Sequence, residues 1–379
     1  PLANVDEVSL SATHCATARN TGEDADAIAA QTADMPECAQ QPASNAPQTD
    51  EPAQPRETRL TTLPDDVVLV TKTLCDATLT LLQSHLPTPE SRADASALLR
   101  RLAPFLYAAG RFDERYAVLL ECHGRERLLE LYCLSPAETI AAVTKGLKGT
   151  VFFSATLSPL EAMRELLGGT EDDACFALPS PFPPQRLAVV RKRVQTRYAF
   201  RGQSAGQVAA SIAQAVNARL GKYIAYFPSY AYLRLVQAEL ETLAVPPLLV
   251  QDREMDEETR AAFLEAFTVD ESPKLGLCVL GGLFSEGVDL PGEQLIGAII
   301  VGVGLPTPSL RLKTLQDYYQ ARFGDGFLYA WMIPAMQKVS QAGGRVIRTE
   351  LDRGMVLLLD DRYYDARYTR LLPPDWRLG

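Results

Sequence analysis

From Lys148 onward the chain repeats one pattern: a short, almost unbroken apolar run, then an amphipathic stretch. The runs are TVFFSA (150–155), LAVVRKR (187–193), YIAYFPS (223–229), PLLVQ (247–251), LGLCVLG (275–281), GAIIVGV (297–303) and GMVLLLD (354–360). Helical periodicity falls between them, near 205–219, 230–243, 256–267, 308–322 and 327–346. A strand that is apolar on both sides must be covered on both sides. This alternation therefore predicts an α/β fold built on a parallel sheet with helices on both faces. In such sheets ligands gather at the loops beyond the carboxyl ends of the strands.

The upstream region reads differently. Leu63 to Phe112 is mainly helical, with Asp65 and Asp66 expected to cap the first helix and Pro87 and Pro89 separating it from the second. Two strand-like runs follow, YAVLLEC and RLLELYCL, with a solvated His123 at the turn. Residues 1–60 are rich in Ala, Gln, Pro and acidic residues and carry too little apolar surface to fold, so a disordered acidic tail is expected. That segment holds −7 of the net charge of −10, which leaves the rest nearly balanced and compatible with nucleic acid. Asp6-Glu7 resembles part of an ATPase acidic motif, but no apolar strand precedes it and Ser9 stands where a DEAH histidine would be. The seven cysteines (15, 38, 75, 122, 133, 175, 278) are scattered without a CxxC, which argues for reduced thiols in a cytoplasmic protein, not a disulfide framework or zinc site. No apolar run is long enough for a membrane span and no signal peptide opens the chain, which starts at Pro1 and reads as a piece of a longer or processed protein.

The strand-end loops carry the chemistry. FFSATLSP offers Ser154 and Thr156; YFPSYAYL offers Ser229 and Tyr230; LGGLFSEGVDLPG offers Ser285, Glu286, Gly287 and Asp289 among glycines that let a backbone approach a ligand. Each alone has a plain alternative: a helix cap, a core aromatic, a tight turn, solvated charges. In QAGGRVIRTELDRG (341–354) the spacing puts Gln341, Arg345 and Arg348 on one helix face, with Gln337 one turn before. Such a row either meets an anion, for which the planar guanidinium suits phosphate, or is a solvated face paired with Glu350 and Asp352.

Taken in order, these segments resemble the carboxyl-terminal half of a superfamily-two helicase of the DinG/XPD-like group, over roughly residues 125–379. SATLSP (154–159) is similar to motif III, FPSYAYL (227–233) to motif IV, FSEGVDLPG (284–292) to motif V, and QAGGRVIRTELDRG with VLLLDDR (356–362) to motif VI and the strand after it. SPF (180–182) and TRYAFR (196–201) match the bacterial branch. The resemblance implies a RecA-like domain 2 at about 160–379, preceded at 61–159 by a mainly helical arch-insertion remnant and the last strands of domain 1. It implies that Arg345 and Arg348 act as arginine fingers on ATP, with Gln341 positioning the nucleotide or the attacking water. Glu286, Gly287 and Asp289 would line the nucleotide cleft, and Thr156, Ser229 and Tyr230 would face single-stranded DNA, with Tyr230 either stacking on a base or packing in the core.

No G-x-x-x-x-G-K-[ST] occurs; Gly221-Lys222 is followed by Tyr223, which has no side chain suited to magnesium at that position. No DEAH follows a strand. The expectation is thus a monomeric ATP-dependent DNA helicase motor, with ATP and Mg2+ held mainly by a first motor domain outside this sequence, no iron–sulfur cluster carried by these residues, and no ATP turnover by this chain alone. The competing expectation is a non-catalytic RecA-like module that binds nucleic acid or protein; a small-molecule enzyme has no nucleophile–base pair to support it.

Overall fold

The computed structural model describes residues 16–19, 56–84, 88–124, 126–285 and 290–379. The chain divides into two compact units, Pro1–Glu138 with Ser309–Leu315, and Thr139–Pro308 with Gln316–Gly379.

In the first unit, strands β1 (Ala16–Arg19) and β2 (Arg56–Leu60) lead to helices α1 (Asp65–Gln83) and α2 (Pro89–Ala109) and the hairpin β3 (Tyr116–His123) and β4 (Glu126–Cys133). The antiparallel sheet runs β1-β4-β3-β2. Val118 and Leu120 of β3 and Leu129 and Leu131 of β4 point to one face and close on Phe105 of α2. The opposite face carries Glu130, which pairs with Arg311 at 2.6 Å; Leu310 N–H donates to Glu57 at 3.0 Å. Two expectations change here. Residues 56–60, assigned to the disordered tail, form an edge strand in register with Val118–Cys122, and residues 16–19 pair with β4; the rest of that tail lies outside the described residues. Asp65 and Asp66 are not caps: Pro64 precedes the helix and both aspartates sit in its first turn, where they still complement the helix dipole.

In the second unit, α3 (Ala137–Thr144, whose first two residues belong to the first unit) and α4 (Leu160–Leu166) precede β5 (Leu187–Lys192), α5 (Arg201–Ala218), β6 (Lys222–Phe227), α6 (Tyr230–Leu240), β7 (Leu248–Val250), α7 (Glu257–Glu265), β8 (Lys274–Val279), β9 (Gly297–Val301), α8 (Leu310–Phe323, whose first turns belong to the first unit), a π-helical turn (Leu328–Met332), α9 (Ile333–Gly343) and β10 (Gly354–Leu359). The six strands are all parallel, in the order β5-β10-β9-β6-β8-β7. Alternate residues of each strand enter two separate cores. Ile224, Tyr226, Ala298, Ile300 and Leu358 pack under α7 and α9; Tyr223, Ala225, Phe227, Ile299 and Leu359 pack under α5 and α6. Both faces are covered, as the unbroken apolar runs require. This is the RecA-like domain 2 architecture.

One expected strand does not form. Residues 150–155 form no strand, and Val151 and Phe153 are 83% and 91% exposed. Their apolar composition suits a buried strand, yet no neighbouring strand among the described residues takes their backbone hydrogen bonds. Residues 139–159 fall in the same compact unit as the parallel sheet.

Candidate functional site

The carboxyl ends of the strands lie along one edge of the parallel sheet, and the loops there are tied together by specific side chains. After β6, Ser229 caps α6: its Oγ accepts from Tyr232 N–H at 3.3 Å and from Arg201 Nη1 at 3.2 Å. Tyr230 follows, half-buried. Its hydroxyl donates to the Asp252 carbonyl at 3.3 Å and accepts from Gln251 Nε2 at 2.9 Å, and the Arg253 guanidinium lies 5.3 Å from its ring centre. Burial pushes the Tyr230 hydroxyl above its usual pKa. Gln251 is fully buried just past β7, and its Oε1 accepts from Val279 N–H at 2.8 Å. One amide thus joins the Tyr230 loop to the end of β8.

Beyond β8 the chain turns at Gly281, whose φ of +75° is a conformation that glycine adopts without steric cost. Ser285 is buried; its Oγ accepts from Gly281 N–H at 2.8 Å and donates to the Val279 carbonyl at 3.1 Å. Glu286, Gly287 and Asp289 lie outside the described residues. The Ser285 carbonyl accepts from Arg345 Nε at 3.0 Å and also from Arg345 Nη2.

The row of Gln337, Gln341, Arg345 and Arg348 is not one helix face. The helix ends at Gly343, and Gly344 N–H closes its last turn on the Ser340 carbonyl at 2.8 Å. A Cβ at Gly343 would sit 2.3 Å from the Trp376 ring, and Val346 and Ile347, just past the helix end, both enter the core. Gln337 and Gln341 do share a face of α9, and Gln337 Nε2 donates to the Thr156 carbonyl at 3.1 Å, joining the SATLSP loop to that helix. Arg345 leaves the helix end 8% exposed, directed at Ser285, whereas Arg348 stands exposed in the loop. Asp352 shapes that loop: its carboxylate accepts from Arg348 N–H at 2.7 Å, Thr349 N–H at 2.8 Å and the Thr349 hydroxyl at 2.6 Å. Burial alone would raise the Asp352 pKa, but these donors outweigh it and hold the carboxyl below its usual value.

Sequence reasoning gave no role to a buried cluster beside Ser229. Asp360, at the end of β10, has no exposed surface. Arg362 grips it through Nε and Nη2, both at 2.8 Å, and the Thr196 hydroxyl donates to the same carboxylate. Burial opposes the charged form, yet the guanidinium and hydroxyl prevail, so Asp360 titrates below the usual carboxylate range and Arg362 above its own. Arg201, which reaches Ser229, also donates through Nε to the Thr196 carbonyl at 3.4 Å. The signal available in sequence was an Asp at the end of an apolar strand with Arg two residues on. The Gly221-Lys222 pair is no phosphate loop: the Lys222 ammonium is buried and donates to the Phe267 carbonyl at 2.6 Å.

Residues 212–378 match the helicase C-terminal domain family. The chain is similar to the ATP-dependent DNA helicase YoaA of Escherichia coli K12, 30% identical over 270 residues, covering 68% of this chain and 41% of that protein. It is also similar to the ATP-dependent helicase DinG of Mycobacterium tuberculosis, 29% identical over 297 residues, covering 75% and 43%. Among solved structures, an apo XPD matches with a TM-score of 0.54 at 16% identity, over 86% of this chain and 73% of that one, and S. tokodaii Xpd4 with 0.51 at 15% identity, over 86% and 61%; at these identities the likeness is one of fold. Residues 212–378 carry a helicase C-terminal domain similar to that of the DinG-type ATP-dependent helicases. It spans 41% and 43% of the length of the two curated relatives named above. No helix among the described residues is long and apolar enough to cross a membrane.

Proposed function

We propose that the chain is the second motor domain of an ATP-dependent DNA helicase, which binds single-stranded DNA along the carboxyl edge of its sheet and supplies arginine to ATP held by a first motor domain. The observation that carries this reading is the division of labour between two arginines. Arg345 is buried with its guanidinium on the Ser285 carbonyl, so it fixes the loop that bears Glu286, Gly287 and Asp289. Arg348 is exposed in a loop whose backbone is held by Asp352. A planar cation on a braced loop can meet a triphosphate at little cost in reorganisation.

In this reading Arg348 stabilises charge on the transferring phosphoryl group, Arg345 keeps the neighbouring loop in register with it, and Gln341 orients the nucleotide or the attacking water. Magnesium is held by the nucleotide's phosphates and the first motor domain; among the described residues no group of three His, Cys, Asp or Glu side chains offers it a site. Thr156, Ser229 and Tyr230 face the strand. Ser229 and Tyr230 are braced by Arg201 and Gln251, which leaves their backbone and ring edge to contact sugar and phosphate.

The test is ATP hydrolysis by the native gene product with and without single-stranded DNA. Arg348→Ala is expected to lower kcat by about 10³ or more, as loss of an arginine finger does, while DNA binding is kept. Unchanged turnover in that variant overturns the finger assignment and favours a non-catalytic module. The present chain, purified alone, is expected to show no magnesium-dependent turnover.

A further inference from the structure

From β5 to the first residue of α5, residues 187–201 carry five basic side chains, Arg191, Lys192, Arg193, Arg197 and Arg201, and no acidic one, in a chain whose net charge is −10. A basic stretch of this kind is the electrostatic footprint of a nucleic-acid surface. The two carboxylates that follow β10, the neighbouring strand, are already matched: Asp361 pairs with Arg197 at 2.6 Å and Asp360 with Arg362 at 2.8 Å. Among the described residues Lys192, Arg193 and Arg201 form no ion pair, and the groups that hold them are neutral.

Two of these cations rest on tyrosine rings. The Arg193 guanidinium lies 4.0 Å from the Tyr364 ring centre, and that of Arg201 lies 5.4 Å from the ring centres of both Tyr198 and Tyr232. A ring face holds a guanidinium in place without cancelling its charge or taking up its N–H donors. The donors of Arg193 and the Nη2 of Arg201 have no hydrogen-bond partner among the described residues. Burial lowers the Arg201 pKa and no carboxylate counters that, so its half-buried charge calls for an anion. The same stretch exposes aromatic surface: the Tyr198 ring is 85% open to solvent, and Phe200 is exposed beside it.

We propose that this segment is a landing for the backbone of the single strand, in which Arg193 and Arg201 each contact a phosphate and Tyr198 stacks on a base. A strand supplies what the segment lacks, an anion at every nucleotide and a flat ring face between anions. The planar guanidinium suits phosphate oxygens, and a cation already pinned on a ring loses little freedom when it meets one. Arg201 donates to the Ser229 hydroxyl, so the landing continues the edge assigned to the strand. Its contacts are sequence-tolerant, since every nucleotide has a phosphate and every base a π-face. The inference rests on the reading that this chain binds single-stranded DNA.

The test uses the whole chain and an oligothymidylate of about twelve nucleotides, with fluorescence anisotropy read at salt concentrations between about 50 and 200 mM. Arg193→Ala and Arg201→Gln each remove one phosphate contact, so each should make the slope of log K against log salt shallower by about 0.7. Tyr198→Ala removes a stacking face and no charge, so affinity should fall at least about fivefold at an unchanged slope. Arg193 and Tyr198 are exposed, so neither substitution opens the core. The two kinds of variant fail in different ways, which a general loss of folding would not produce. If the wild-type chain binds, a wild-type slope in Arg193→Ala or a wild-type affinity in Tyr198→Ala overturns the landing and leaves the strand-binding reading standing. No binding by the wild-type chain at the lowest salt overturns both.

Discussion

Asp360 offers the sharpest test of how the carboxyl edge of this sheet is held. The carboxylate is fully buried, and its two oxygens accept from the backbone N–H, Nε and Nη2 of Arg362 and from the Thr196 hydroxyl. Asp360→Ala removes every acceptor at once. It leaves a mostly buried guanidinium facing a void, and broken buried ion pairs cost about 3–5 kcal/mol. The stranded Thr196 hydroxyl adds about 1 kcal/mol. A loss near 4–5 kcal/mol should lower Tm by about 10–15 °C for a domain of this size. Removing both charges is a different perturbation. In the double variant Asp360→Leu with Arg362→Met no ion is left uncompensated, and apolar replacements of buried pairs are often neutral. That variant should therefore recover at least about 2 kcal/mol relative to the sum of its two single variants.

The assay is urea unfolding followed by tryptophan fluorescence. Both tryptophans, Trp331 and Trp376, lie in the second unit, so the signal reports that unit alone. The coupling between the two sites is the deciding quantity. A loss below about 1 kcal/mol in Asp360→Ala, or a double variant equal to the sum of its singles, would refute the argument, because it would mean that the pair is solvated in solution and holds nothing together.

Two further outcomes follow from the same edge. Asp360 and Asp352 both titrate below the ordinary carboxylate value when folded, so the stability they contribute is fully present above about pH 4 and is lost as pH falls through their folded values; the slope of Tm against pH in that acid window should flatten in Asp360→Asn, and an unchanged slope would count against the assignment. Gly354 closes the motif VI segment where a Cβ would meet Val346 Cγ1 at 2.1 Å and the Ile296 carbonyl oxygen at 2.6 Å, so Gly354→Ala should cost about 2–3 kcal/mol in the same urea assay through overpacking; a midpoint equal to wild type would show that β10 can shift outward freely.

The motor sheet was legible in sequence because burial on both faces writes itself as an uninterrupted apolar run. LGLCVLG and GAIIVGV could belong nowhere but in a covered strand, and β8 and β9 lie there. The same logic misread 150–155, since an apolar run states what a segment needs and not whether a partner strand is present to satisfy it. It missed β2 for the opposite reason. RETRL is mostly polar because it is an edge strand whose side chains face solvent, so its pairing with β3 rests on backbone hydrogen bonds that leave no compositional trace. The arginine row showed a subtler limit. Spacings of four and three fit a helix, but spacing alone does not say where a helix stops, and this one stops at Gly343. Asp360 and Arg362 received no role for a related reason, because an Asp at the end of an apolar strand with Arg two residues on does not by itself say that the pair is buried.

Each strand-end loop is tied to another by a side chain from a different segment. Gln337 holds the Thr156 carbonyl, Arg201 holds Ser229, Gln251 spans Tyr230 and Val279, Arg345 holds the Ser285 carbonyl, and Thr196 meets Arg362 on Asp360. Three of these contacts, those on Thr156, Val279 and Ser285, end on backbone groups, so they fix where a loop runs and leave its outward side chains available. A fixed edge has a mechanical consequence. If ATP draws Arg348 toward a first motor domain, the loop at 281–285 is bound to travel with it through Arg345, because moving one without the other would strand a mostly buried guanidinium at a cost of several kcal/mol. The loop at 229–230, proposed to face the strand, is joined to the same end of β8 through Gln251. Closure on nucleotide would then shift the nucleotide-side and strand-side loops as one body, which is the coupling a stepping motor requires.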